Sequence, residues 1–116
     1  MTPAAFHAAA IALPGATLSV QWGDSQVYKV GGKMFAVLGG AVGGGGFSFK
    51  ASEVAFEVLT QTGVGRPAPY LARAQWVLIA DLAGQDGDEV VGWLAKAHAL
   101  VAAKLTRKAR AELGLG

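Results

Sequence analysis

Hydrophobic and polar positions follow two different periods along this chain, and the switches between them mark its elements. Thr2 stands as an N-cap ahead of Pro3, whose missing N–H costs nothing at the first helical position, and Phe6, Ala9, Ala10 and Leu13 then share one helical face. Pro14-Gly15 ends that helix. From Thr17 the period becomes two: Leu18, Val20 and Trp22 alternate with Ser19 and Gln21, which predicts a half-buried strand, and Gly23-Asp24-Ser25 makes a turn. A second strand over 26–30 passes through the tight hairpin Gly31-Gly32 into a third over 33–38. The glycine-rich run 39–46 reads as a loop between strands, and Phe47-Ser48-Phe49-Lys50 resumes the alternation as a fourth strand.

Ser52 is placed to cap a second helix with Val54, Val58 and Leu59 inward, ending at Gly63 and Gly65. Residues 66–70, with Pro67 and Pro69, are expected to be irregular, because each proline lacks a donor and pushes its predecessor out of the helical region. Trp76 to Ala80 reads as a short, strongly apolar strand with Trp76 in the core. After a loop over 81–87, Asp88 and Glu89 favour a helix start, and Val90, Leu94, Ala97, Val101 and Leu105 form its core-facing stripe. The order helix, four strands, helix, strand, helix predicts an α+β fold built on an antiparallel sheet. There is no internal repeat.

Length and composition narrow this picture. A chain of 116 residues fits one domain, 1–116, with one core. With no cysteine, disulfides, thiol nucleophiles, redox pairs and thiolate metal sites are all excluded. No basic segment precedes an apolar run at the N-terminus and no stretch is long enough to span a bilayer, so a cytoplasmic protein without a membrane partner is expected. The formal charge of +2 permits attraction to nucleic acid without specifying it.

Candidate chemistry changes the picture mainly by subtraction. A phosphate loop needs glycines running straight into a helix, whereas these join strands, and Val30-Gly31-Gly32-Lys33 lacks the following Ser or Thr that would reach magnesium. His7 and His98 stand alone, without a second ligand at helical or turn spacing, so no metal and no cofactor is expected. The carboxylates Asp81, Asp86, Asp88 and Glu89 sit where loops and helix starts place them. No catalytic constellation emerges, and a non-enzymatic protein is expected; an enzyme would need His7 or His98 to meet a carboxylate. What remains is a set of cations, Lys29, Lys33, Lys50, Arg66, Arg73 and the C-terminal group Lys104, Arg107, Lys108 and Arg110, interleaved with the aromatics Tyr28 and Tyr70. Lys and Arg suit phosphates, aromatic faces stack on unpaired bases, and a hairpin flanked by Lys33 and Lys50 can lie as a wing on a phosphate backbone.

These residues also carry a resemblance. Leu13-Pro14-Gly15-Ala16, Tyr28-Lys29-Val30-Gly31-Gly32-Lys33-Met34-Phe35-Ala36, Phe49-Lys50, Pro69-Tyr70 before Trp76, and Leu100 to Leu105 occur in the order seen in the MmcQ/YjbR family, which the chain resembles over nearly its whole length. The resemblance implies a CyaY-like α+β fold, an antiparallel sheet with helices on one face, and a DNA-binding role through paired wings. Three departures thin the implied phosphate-binding surface. Only Arg73 is cationic between Tyr70 and Trp76, Ala97-His98 stands where relatives have Ser-Tyr, and the glycine loop is longer and uncharged. The frataxin-like fold also raises iron binding, but that needs acidic residues along the first helix, and residues 2–13 hold none.

The leading expectation is therefore weak, salt-dependent DNA binding through Lys33, Lys50, Arg66 and Arg73, supported by Lys104, Arg107 and Lys108, with Tyr28 and Tyr70 as stacking groups. The alternative is a protein- or small-ligand-binding module whose exposed sheet face, with Trp22 and Tyr28, accepts an apolar partner.

Overall fold

Thr2 starts the first helix as its spacing predicts: its hydroxyl accepts the Ala5 N–H at 3.1 Å, and α1 runs over Pro3–Ile11. The computed structural model describes residues 1–21, 25–39, 46–69 and 71–115. Trp22 with most of the turn expected at 23–25, most of the glycine loop, and Tyr70 lie outside the described residues. The elements after α1 are β1 (Ala16–Gln21), β2 (Ser25–Val30), β3 (Lys33–Leu38), β4 (Phe47–Lys50), α2 (Glu53–Gln61), β5 (Arg66–Pro67), β6 (Trp76–Ile79), α3 (Gly87–Ala102) and α4 (Arg107–Glu112), with a 3₁₀ turn at Ala72–Ala74.

The strands form one antiparallel sheet in the order β1-β2-β3-β4-β6-β5. Side-chain alternation divides it into two faces. Tyr28, Val30, Ala36, Leu38, Phe47, Phe49, Val77 and Ile79 meet the helices, packing with Phe6 and Ala10 of α1, Leu59 of α2 and Val90, Leu94, Ala97 and Val101 of α3. A register shift between Tyr28 and Lys29 sends both Phe35 and Ala36 of β3 into this layer. The opposite face presents Val27, Val37, Trp76 and Leu78, which the segment after β5 covers with Ala68 and Leu71. Helices thus occupy one face of the sheet, and Trp76 is core.

Four expectations change. Leu18 and Val20 share the helix-side face but lie on the edge strand, where they remain 38% and 64% exposed. Val54 and Val58 face outward, and α2 is anchored by Leu59 with Ala55 and Phe56 instead. Part of the 66–70 segment is strand: Arg66 pairs with Leu78 and Pro67 with Val77, an arrangement proline tolerates because β5 is the sheet edge. The last helix stops at Ala102, and a second cap, Thr106, starts α4, so Leu105 extends the stripe from a turn.

Candidate nucleic-acid interface

Strand direction decides which cations meet. The β2–β3 hairpin, the end of β4 and the start of β6 all lie at one end of the sheet. The end of α3 comes to the same place, because Leu105 packs where a Cβ on Gly31 would sit. That end therefore collects Lys33 from the hairpin, Lys50 from β4, Arg73 from the turn before β6, and Lys104, Arg107 and Lys108 from the α3–α4 junction. All but Lys50 are exposed. The hairpin is not a free wing, since its Gly31 corner rests on Leu105 while Gly32 faces open space.

Lys50 behaves differently from its neighbours. Its ammonium donates to the Ala74 carbonyl, and burial, followed by the nearby Lys104 ammonium, holds it below the usual lysine range. Lys50 thus ties β4 to the segment carrying Arg73 and adds field more than free donors. Arg66 is not part of the group; on the outer strand it lies beside Leu78 and Ala80, toward the opposite end of β6.

That opposite end is acidic. Asp81, Asp86, Asp88 and Glu89, all exposed, surround the start of α3, whose 16 residues put them about 24 Å from the basic end at 1.5 Å per residue. Glu53 and Glu112 are the carboxylates nearest in sequence to the basic cluster.

The aromatic half of the expected site is corrected. Tyr28 is fully buried against Phe6 and Phe35, its hydroxyl donating to Gln26 Oε1 at 3.2 Å and lying 2.9 Å from His7 Nδ1, so no base can stack on it. Burial pushes its pKa up to about 12. This also removes Tyr28 from any exposed apolar sheet face. Tyr70 lies outside the described residues. His98 packs edge-on against Phe35 with Nε2 2.6 Å from the Pro14 carbonyl, so it serves as a tether between α3 and the α1–β1 turn. Among the described residues neither histidine meets a carboxylate, no group of three or more metal-ligating side chains forms, and no helix is long and apolar enough to cross a membrane.

The sequence pattern passed over Trp93 and Lys96. Trp93 stacks on Phe49 with ring centroids 5.5 Å apart and planes 8° apart, and it floors a cleft of about 300 Å³ that both residues line. The signal was a bulky aromatic on the flank of α3, one step off the apolar stripe, with a lysine three residues on.

The comparisons with known proteins agree with this architecture. The family model described as YjbR matches residues 11–100. The crystal structure of Deinococcus radiodurans protein DR2400, with a DUF419 domain, superposes with a TM-score of 0.80 at 24% identity, covering 95% of this chain and 86% of that one. No curated protein matches the chain.

Proposed function

The chain belongs to the YjbR family, and from that premise we propose that it is a non-enzymatic DNA-binding protein that holds phosphates at the basic end of its sheet. The observation that carries this reading is the segregation of charge: exposed Lys33, Arg73, Lys104, Arg107 and Lys108 gather from three segments at one end, while the acidic cluster stands at the other. Such a dipole orients the protein toward a polyanion and repels it from the wrong end. Contacts made by flexible cations to phosphate carry no base information, so binding is sequence-independent, with Kd in the range of about 10⁻⁴–10⁻⁶ M at physiological salt. Burial of Tyr28 and Trp76 withholds two stacking platforms, which favours duplex, with its higher charge density, over single strands.

Anisotropy of a fluorescein-labelled duplex at low salt tests this. Replacing Lys104, Arg107 and Lys108 together by Gln weakens binding at least tenfold, whereas Arg66→Gln, remote from the cluster, changes it less than twofold. Equal losses in the two variants, or no binding by the parent protein, contradict the reading.

A further inference from the structure

The sheet has two outer strands, and they are built differently. β5 is two residues long and carries Arg66 and Pro67, and shortness, charge and proline are the usual means of blocking an open edge. β1 is six residues long, pairs with β2 in an unbroken register, and holds no charge and no proline in Ala16-Thr17-Leu18-Ser19-Val20-Gln21. Among the described residues only β2 pairs with it. The Ala16 N–H is taken by the Leu13 carbonyl, and beyond it alternate residues turn N–H and C=O groups away from the sheet. An edge left this open is a template for another strand.

Helix α1, which contacts β1, has a matching property. Pro3–Ile11 holds no charged residue, and apart from His7, whose Nδ1 lies 2.9 Å from the Tyr28 hydroxyl, it is apolar on every side, with Ala4, Ala5, Ala8 and Ile11 exposed. A surface helix ordinarily puts charge on its outer face, and one apolar all round is ordinarily covered. Exposed Leu18 and Val20 lie on the same side of the sheet as this helix.

We propose that β1 pairs antiparallel with β1 of a second copy about a two-fold axis at Ser19, joining the two six-stranded sheets into one. The edge selects the chain itself as partner. In that register Leu18 stands opposite Val20 of the copy and Val20 opposite its Leu18, so four exposed apolar side chains close on one another on the side of the two α1 helices. Ser19 meets its own copy on the other face, and no charged residue lies in either strand. The blocked β5 edge stops assembly at two. Because Ala16 stands opposite Val30, beside the hairpin, the two-fold turns the two basic ends in opposite directions, and the dimer does not depend on the DNA reading.

Sedimentation velocity of the full chain tests this, together with single thiols as register probes in a chain that has no cysteine of its own. The parent is expected to form a dimer that dissociates on dilution. Val20→Lys, at an exposed position, weakens self-association at least tenfold while the far-UV circular dichroism stays that of the parent. Ser19→Cys forms a disulfide dimer under mild oxidation, because directly opposed residues stand about 4.5–5.5 Å apart at Cα, within disulfide reach. Thr17 and its copy stand four positions apart along the strand, about 13 Å, so Thr17→Cys cross-links at least tenfold more slowly. A parent that stays monomeric up to millimolar concentration overturns the proposal and leaves the edge to a strand from another protein. Self-association of Val20→Lys equal to that of the parent, or cross-linking of Thr17→Cys as fast as that of Ser19→Cys, overturns it as well.

Discussion

Gly31 shows how one residue couples the hairpin to the rest of the basic end. Its φ is +59°, and a Cβ there would stand 2.7 Å from both Leu105 Cδ atoms. Gly31→Ala therefore combines left-handed strain with a clash and lowers stability by about 1–3 kcal/mol. Gly32, with φ +79° but open space around it, carries the strain alone. Urea unfolding should place Gly31→Ala clearly below Gly32→Ala; equal midpoints would mean that Leu105 does not fix the hairpin. Tyr28 gives a second test. Burial penalises its phenolate, so between its ordinary value of 10.0 and about 12 the unfolded chain releases the proton first. Stability is level below pH 10 and falls by up to about 2–3 kcal/mol as pH rises through that window, a decline that Tyr28→Phe should lack. The alternation around Tyr28 gives its strand but not which of two covered faces it meets; α1 settles that, and with it the loss of Tyr28 as a stacking group.

At the scale of elements, the caps of the first two helices and the breaks after them were legible, and the break within the last was not. Thr2 and Ser52 accept the N–H groups of Ala5 and Ala55 as their spacing requires. The break after Ala102 carries no glycine or proline, and its signal was Thr106, which accepts the Ala109 N–H at 3.1 Å. The break divides the basic residues between a turn and a short helix, where a continuous helix would have wound them around one cylinder. Thr106→Ala should cost about 1 kcal/mol, confined to α4. Hydrogen exchange checks this: amides at 109–115 exchange faster while those of α3 keep their protection, and uniform acceleration would show that the two helices unfold as one unit. Exposure of Leu18, Val20, Val54 and Val58 was hidden for a related reason, because period alone does not say where the covering layer ends.

For the whole molecule, antiparallel order and the passage of α3 across the sheet separate the charges. The α+β class and the antiparallel sheet follow from element order, since strands joined by short turns run antiparallel to their neighbours, whereas the helices on one face were implied by the family resemblance. The charge dipole was not legible, because its members are distributed from Lys33 to Lys108 and only the strand directions bring them together or, for Arg66, leave one out. Net charge concealed it, with the acidic cluster offsetting the basic one to leave +2.

The most direct measurement is the dependence of DNA affinity on salt. If Lys33, Arg73, Lys104, Arg107 and Lys108 each neutralise a phosphate, log K against log salt has a slope of about −4 to −5, shrinking by about 0.9 for each of these cations replaced by Gln and unchanged by Arg66→Gln. A slope near zero, or one that Arg66→Gln shifts as much as Lys104→Gln does, would contradict an interface at the basic end of the sheet.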